Sequence, residues 1–484
     1  MKTFFARFAG LALVGGTALT LGAAPSLTIY NQNFAVVRDS VPLDLKAGVN
    51  ELRYPGATAQ VEPDSVILRD PAGLHHLQIL EQNYRNDPVT QELLLSMFEG
   101  KTISFAVPHT KDTNPTPELI SGRIVRSGYV PGGGPEQPII EVTGSLQFSL
   151  PGEPRFPNLG DDTVLHPSFN WLLQSDNPGT FDAEIGYVTG GFSWEASYNI
   201  VAPETGDTVD LLGWITLKNE SGKTFTAAQI KVMAGDVNKI APAPRMDRMV
   251  ANAMMAPQAA GPEPVVTEKA FDEYHLYSVA RPTTLRDRET KQVEFVSASS
   301  VLAPVIYQYD GADPGFRFGG GLNPEQSYGT QSNNKVAILR EFVNAETNHL
   351  GIPLPAGKLR FYRRDDDGQL EFTGENTIDH TPRNETIHLT TGNAFDLVGE
   401  RKQTDFHVDT TEKWLDESFE ITLRNRKKTP VTFRVVEHLY RWSNWSLTAQ
   451  SDIYTKTDAQ TIQFQVPVVP DQERKVTYTV HYTW

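Results

Sequence analysis

Apolar side chains alternate with polar ones along most of the chain. Clear examples are the runs 419–423, 431–435 and 462–468, in which every second residue is large and apolar. Alternation over four to eight residues, rich in β-branched and aromatic side chains, is typical of half-buried strands. The 37 glycines and 33 prolines lie mostly between such runs, where turns are needed. The pattern predicts an all-β protein of two or three antiparallel β-sandwich or barrel-like domains with very little helix.

One hairpin can be placed from the sequence. Leu359 and Phe361 alternate with polar residues before the turn Asp365–Gly368, and Leu370 and Phe372 alternate after it. Asp-Gly suits the positive φ angles of a tight hairpin turn. A calcium loop needs oxygen ligands at alternating positions of a longer segment, so the three adjacent aspartates favour a turn.

One short helix is predicted at residues 89–99. Asp87 would be its N-cap, Pro88 its first residue, and Gly100 would follow its end. Its apolar residues would serve packing.

The predicted domain boundaries follow changes in composition. Residues 25–108 form an N-terminal β domain with the short helix, 109–157 a small β region, and 158–484 a C-terminal β-sandwich domain. Residues 241–266 interrupt this last domain with five prolines and four methionines among alanines. Such a composition buries little surface, which predicts a mobile insertion.

The first 24 residues have the order of a secretory signal peptide. Lys2 and Arg7 precede an uncharged apolar run at 8–21, and small residues follow at 22–24. The run is shorter than the roughly 20 residues that span a bilayer. We therefore expect a protein that is exported from the cytoplasm.

Charge and cysteine content exclude several classes of function. The chain has 43 Lys and Arg against 59 Asp and Glu, a net charge of −16, which disfavours nucleic acid as a partner. The absence of cysteine excludes disulfides, thiol nucleophiles and Cys-ligated zinc. After the signal, no apolar run is long enough to predict a transmembrane helix.

A search for catalytic motifs finds no nucleophile elbow, no zinc-protease helix and no phosphate-binding loop. The adjacent pairs His75–His76, Trp194–Glu195 and Glu437–His438 lie in strand-like runs. Alternation would point the two partners of each pair to opposite faces, which prevents joint chemistry. The sequence therefore predicts no catalytic residue, metal ligand or cofactor.

The segment Tyr440–Trp445 is the candidate binding site. Tyr440, Trp442 and Trp445 lie beside an arginine and an asparagine. Aromatic faces with such neighbours can stack on a sugar ring or contact a peptide. Packing in the core or at a sheet edge remains the alternative.

Several phrases of the sequence resemble one known family. They are YNQNFAVVRDSVPLDLKAGVNELRYPG (Tyr30–Gly56), VEPDSVIL (Val61–Leu68), YVTGGFSWEASYNI (Tyr187–Ile200), LKNESGKTFTAAQIKVMAGDV (Leu217–Val237), LGIPLPAGKLRFY (Leu350–Tyr362) and GNAFDLVGERK (Gly392–Lys402). Together they are similar to exported bacterial proteins with domain of unknown function 4139, relatives of mucoidy-inhibitor A. The resemblance covers most of the mature chain and brings no established catalytic residues. The long coiled coil usual in the mucoidy inhibitors has no counterpart in this sequence, so a role that depends on it is not expected.

We therefore expect an exported cell-envelope protein, in the periplasm or at the cell surface of a bacterium, that acts as a non-enzymatic binding or assembly module. Its partner would be an envelope protein or a glycan, and exposed edge strands would also permit self-association. A glycan-acting hydrolase is one alternative, which needs two carboxylates converging near Trp442 and Trp445. An outer-membrane β-barrel is the other, since the final residues 478–484 alternate up to a terminal aromatic.

Overall fold

The computed structural model describes residues 24–86, 89–108, 117–130, 133–134, 136–157, 159, 164–235, 237, 239, 266–271, 273–312 and 322–484. The predicted signal peptide and the predicted mobile insertion lie outside the described residues, apart from Ala24 and Val266. Antiparallel and mixed sheets build sandwich-like domains, which confirms the predicted all-β class. Within the described residues, no helix has the length and apolar character needed to cross a bilayer.

Strands make up most of the regular structure. The first strands along the chain are β1 (Ser26–Tyr30), β2 (Phe34–Leu45), β3 (Gly48–Tyr54), β4 (Ile67–Arg69), β5 (Leu77–Arg85), β6 (Thr102–Val107), β7 (Glu118–Arg126), β8 (Ile139–Val142), β9 (Ser145–Gln147) and β10 (Glu153–Arg155). They are followed by β11 (Ser168–Ser175), β12 (Gly179–Gly190), β13 (Phe192–Ala202), β14 (Thr208–Asn219), β15 (Phe225–Ala234), β16 (Val266–Phe271), β17 (Tyr274–Val279), β18 (Thr283–Leu285), β19 (Glu289–Leu302) and β20 (Val305–Asp310). The last are β21 (Lys335–Val343), β22 (Gly357–Arg364), β23 (Leu370–Ile378), β24 (Thr386–Asp409), β25 (Trp414–Asn425), β26 (Val431–His438), β27 (Trp445–Gln450), β28 (Tyr454–Lys456), β29 (Thr461–Val468) and β30 (Glu473–Thr483). The helix α1 spans Gln91–Met97, and 3₁₀ turns span Pro63–Ser65 and Glu346–Asn348.

The chain divides into two compact units. The first comprises residues 1–193, 218–230 and 282–289, and the second comprises 194–217, 231–281 and 290–484. The boundaries at 108 and 157 that the sequence suggested stay predictions.

In the first unit, β15, β1, β2, β12 and β4 form a sheet in that order, and β3, β11 and β5 form a second one. Strands β2 and β12 pair along their whole length, from Leu45 opposite Gly179 to Phe34 opposite Gly190. Phe169 on β11 is fully buried, because every second residue of these strands faces the core.

The first unit also contains a smaller sheet, in the order β10, β6, β7, β8 and β9, on which α1 packs. The N-cap of α1 is Thr90, whose hydroxyl accepts the amide of Leu93 at 3.2 Å. The predicted start at Val89 is therefore wrong by two residues, and Asp87 and Pro88 lie outside the described residues. The predicted end at Glu99 is also wrong by two residues, since α1 ends at Met97 with Phe98 as its C-cap. Gly100, with a φ of +78°, lies three residues after the helix.

In the second unit, one sheet has the order β19, β14, β13, β22 and β23. The hairpin of β22 and β23 confirms the prediction, because Arg364 pairs with Leu370 around a turn in which Gly368 has a φ of +84°. The pair β13 and β22 is parallel, beginning with Ala196 opposite Gly357. The sheet is thus mixed rather than purely antiparallel.

The second sheet of this unit has nine strands, in the order β27, β30, β25, β24, β21, β20, β26, β29 and β28. Phe464 on β29 and Tyr478 on β30 lie far apart in this order, yet their ring centroids are 6.1 Å apart. The sheet therefore curls so that its two halves enclose a common core. The alternating run 478–484 falls on β30, which lies between β25 and β27.

Candidate functional site

The aromatic segment, residues 440–445, follows β26 and ends on the first residue of β27. Tyr440 points inward and is only 7% exposed, with its ring centroid 5.6 Å from that of Tyr328. Trp442 and Trp445 are half-buried, and Ser443 between them is exposed. The two tryptophans therefore offer part of their surface to solvent, whereas Tyr440 belongs to the packing beneath them.

Both tryptophans are held in place. The indole Nε1 of Trp445 donates to the carbonyl of Ala459 at 2.9 Å, and Lys456 Nζ lies 4.7 Å from its ring centroid. Trp442 packs against the core of the nine-stranded sheet. Fixed aromatic faces lose little conformational freedom when a partner binds.

Arg441 is part of the aromatic segment, but its side chain points into the core and is fully buried. Its Nε donates to Glu417 Oε2 on β25 at 2.8 Å. Its Nη atoms donate to four main-chain carbonyls of one loop, at 2.8–3.3 Å, those of Asn323, Glu325, Gln326 and Tyr328. We call residues 322–330 the clamped loop. One guanidinium thus joins the aromatic segment, strand β25 and this loop.

A second buried ion pair lies in the same core. Arg401 Nε lies 2.9 Å from Glu437 Oε2, and Arg401 Nη1 donates to the carbonyl of Gly329 in the clamped loop at 3.1 Å. The hydroxyl of Tyr478 donates to the same Glu437 oxygen at 2.5 Å. The guanidinium carbon of Arg401 also lies 3.8 Å from the ring centroid of Phe419. Arg401 and Arg441 therefore both fix the clamped loop through hydrogen bonds to its main-chain carbonyls.

Burial controls the ionisation of this cluster. Desolvation raises the pKa of Glu417, against the opposing effect of Arg441. Desolvation lowers the pKa of Arg401, but Glu437, Tyr478 and Tyr440 together outweigh it, and the net pKa of Arg401 is raised well above its usual value. Burial also raises the pKa of Tyr478 well above its usual value, so its hydroxyl stays a hydrogen-bond donor at neutral pH.

The two buried carboxylates are closed off from solvent. Glu417 and Glu437 are each 1% exposed, and each is paired with an arginine. A carboxylate that acts on a substrate must reach it within hydrogen-bonding distance. In the described structure, these two groups therefore support the loop and the aromatic segment from inside the core.

The paired residues of the sequence diverge as predicted. Glu437 points into the core, whereas the Nε2 atom of the neighbouring His438 lies 3.0 Å from Asp310 Oδ2. Trp194 is 6% exposed, and Glu195 next to it is exposed.

His75 and His76 also diverge, but they precede β5 instead of lying within a strand. The ring of His75 stacks on Phe181 at 4.1 Å, and its Nδ1 lies 2.9 Å from Asp70 Oδ2. His76 is largely exposed. The two imidazoles therefore have separate surroundings.

The three aspartates of the β22–β23 turn are exposed, and their carboxylates lie within 4.8 Å of one another. Asp367 Oδ1 accepts the amide of Gln369 at 2.8 Å, which is the role of a turn aspartate.

Sequence reasoning missed the buried ion pairs, although the pattern contained a signal for them. Glu417 occupies the inward position between Leu415 and Phe419, and Glu437 follows Phe433 and Val435 in the same way. A charge at an inward position of an alternating run needs a buried partner. That partner comes from a distant part of the chain and cannot be read from the local pattern.

A scan against protein-family models and a search among curated proteins both find no match to this chain.

Proposed function

We propose that this protein is exported to the bacterial cell envelope and acts there as a non-enzymatic binding or assembly module. Trp442 and Trp445 would be its contact residues. The observation that carries the proposal is the fully buried Arg441, which fixes the aromatic segment and the clamped loop from below. A rigid aromatic surface suits a binding module. Its side chains are already ordered by folding, so they lose little conformational entropy when a partner binds.

The partner would be an envelope glycan or an envelope protein. The half-buried tryptophans have exposed Ser443 and Asn444 between them, and Lys456 lies over the Trp445 ring. Aromatic faces beside hydroxyl and amide groups suit the apolar face and the hydroxyl groups of a sugar, and equally a peptide. Neither kind of partner requires many charged residues on the binding surface.

The ion pairs of the core favour this role over a glycan hydrolase. Glycoside hydrolysis uses two carboxylates that flank a substrate. Glu417 and Glu437 are instead buried and bonded to arginines. Their arrangement supports a structural task, that of fixing the surface above them.

Binding is tested with purified protein lacking residues 1–24 and with envelope fractions, namely peptidoglycan sacculi and outer-membrane fragments. We expect saturable binding to one fraction. The double variant Trp442→Ala/Trp445→Ala should weaken it by about tenfold or more, as loss of interface aromatics usually does. Phe395→Ala is the matched control, because Phe395 is 97% exposed on β24 and its loss should leave binding unchanged.

Two outcomes contradict the proposal. One is equal binding by the double variant and the control with unchanged circular dichroism. The other is turnover of a cell-wall polysaccharide that a single carboxylate substitution abolishes. Export is tested separately by fractionating cells that produce the chain with and without residues 1–24, and protein that stays in the cytosol in both cases would contradict it.

A further inference from the structure

Arg340 is a buried cation for which the described residues provide no carboxylate partner. It lies on β21 opposite Val305 of β20, and it is only 8% exposed. Its Nη1 donates to the carbonyl of Ala303 at 2.7 Å. No carboxylate oxygen of the described residues lies within 4.0 Å of its guanidinium. By contrast, the buried Arg401 and Arg441 each have a glutamate at 2.8–2.9 Å.

Arg363, at the end of β22, approaches the same place. Its Nη2 donates to the carbonyl of Glu204, in the turn that joins β13 to β14. The carbonyl of Asp207 in that turn accepts the amide of Ala303, the residue that binds Arg340. Burial lowers the pKa of Arg340, and the charge of Arg363 lowers it further. Arg363 thus contacts this turn directly, and Arg340 is connected to it through Ala303.

Lys427 adds a third cation. Its Nζ donates to the hydroxyl of Tyr307 at 2.6 Å and lies 4.4 Å from the centroid of that ring. Tyr307 is two residues after Val305 on β20, so it shares a sheet face with Arg340. Arg363 and Lys427 have no carboxylate within 4.0 Å in the part of the chain that the structure describes either.

A buried guanidinium is stable when an anion compensates it. Asp207 is exposed, and its charge acts on Arg340 only from beyond ion-pair distance. The protein as a whole has an excess of acidic residues, with a net charge of −16. Arg340 and Arg363 lie near one turn, and Lys427 is bonded to Tyr307 on the same sheet face as Arg340. These cations have no carboxylate partner among the described residues, which is the composition of an anion site.

We propose that Arg340, Arg363 and Lys427 form a binding site for a phosphate group at this end of the second unit. Guanidinium groups match phosphate oxygens through paired N–H donors, and an ammonium adds charge. Arg340 would supply the buried contact, and the exposed Arg363 and half-buried Lys427 would admit the ligand from solvent. The phosphate would be either free inorganic phosphate or the headgroup of an anionic lipid.

The test measures binding of inorganic phosphate by calorimetry and by thermal unfolding, against chloride at equal ionic strength. We expect saturable binding to the wild type, and Arg340→Met should weaken it at least about tenfold. In chloride, Arg340→Met should unfold at the same or a higher temperature, since it removes an uncompensated buried charge. Arg69→Met, which removes a 61% exposed arginine paired with Glu184 in the first unit, should bind phosphate like the wild type.

Arg363→Met provides a second variant, because its exposed side chain can be removed without disturbing the core. It should also weaken phosphate binding at least about tenfold. Vesicles of phosphatidylglycerol and of phosphatidylcholine distinguish the two sources. Sedimentation of wild type but not Arg363→Met with the anionic vesicles assigns the site to a headgroup, whereas binding of inorganic phosphate alone assigns it to the free ion. The proposal is overturned if neither probe binds saturably, or if both variants bind phosphate as tightly as the wild type does.

Discussion

Replacement of Arg441 by methionine tests whether the buried cluster holds the aromatic surface. Methionine keeps most of the volume but removes five hydrogen bonds, one to Glu417 and four to carbonyls of the clamped loop. Removing one partner of a buried ion pair costs about 3–5 kcal/mol, because the remaining charge is left unpaired. The four carbonyls add less, since a surface loop can turn them to water. We therefore expect the unfolding free energy of the second unit to fall by about 4 kcal/mol.

Hydrogen exchange distinguishes a loss of stability in the clamped loop from a loss of stability in the core. The amide of Tyr328 donates to the carbonyl of Glu325 at 3.1 Å, and the amide of Thr330 donates to that of Ser327 at 3.4 Å. These bonds form within the clamped loop, so their exchange reports its opening. Loss of about 3 kcal/mol of loop stability corresponds to exchange roughly 100-fold faster.

A double variant isolates the unpaired charge. Glu417→Gln in the Arg441→Met background neutralises the remaining carboxylate and keeps one of the two acceptor oxygens that serve Tyr482 and Gln403. We expect it to recover roughly 2 kcal/mol of unfolding free energy while loop exchange stays fast. A loss below about 1 kcal/mol in the single variant, or unchanged exchange of Tyr328 and Thr330, would refute this account of the cluster.

The raised pKa of Glu417 predicts that the unfolding free energy depends on pH. Burial raises the folded-state pKa of Glu417, so the folded protein keeps a proton that the unfolded chain has already released. Its contribution to stability is full below the unfolded pKa of about 4.3 and is lost as pH rises through the folded value. The unfolding free energy of wild type minus that of Glu417→Gln should therefore fall as pH rises from the unfolded pKa through the raised folded pKa. A difference that rises with pH contradicts this sign.

Two further predictions concern other parts of the second unit. The hydrogen bond to Asp310 raises the pKa of His438, so its contribution is full below the unfolded pKa of about 6.5 and is lost as pH rises through the folded value. In chemical denaturation, wild type should exceed His438→Gln by more at pH 6 than at pH 9, and Asp310→Asn should remove this difference in both proteins. A Cβ at Gly399 would overlap the buried Tyr309 ring, so Gly399→Ala should cost about 1–3 kcal/mol or more. Gly368→Ala has open space and only its positive φ as a penalty, about 1–2 kcal/mol, and an equal or larger loss there than at Gly399 in thermal unfolding would contradict the steric argument.

Local patterns predicted the class of the fold well. Strands β25, β26 and β29 follow the alternation of the sequence, and the turn at Gly368 follows from Asp-Gly chemistry. Such features depend on residues a few positions apart. The start of α1 was misplaced because Thr90 competes with Asp87 as a cap, and sequence alone does not rank the two.

The candidate site was only partly predictable. Trp442 and Trp445 stand out by composition, but the inward direction of Tyr440 and the role of Arg441 depend on the clamped loop, more than 100 residues earlier in the chain. The parallel pairing of β13 with β22 was also missed. Hydrophobic patterning fixes which side of a strand is buried, but it leaves the choice of neighbour open.

That parallel pair affects how the chain can be made. Ala196 meets Gly357, so roughly 160 residues must leave the ribosome before β13 gains its second neighbour. At about 5–20 residues per second, this delay is on the order of ten seconds. During that time β13 presents unpaired amides and carbonyls to any other nascent chain. Chains truncated before residue 357 should therefore aggregate when they are synthesised. Full-length chains that a chaperone holds unfolded should remain in solution.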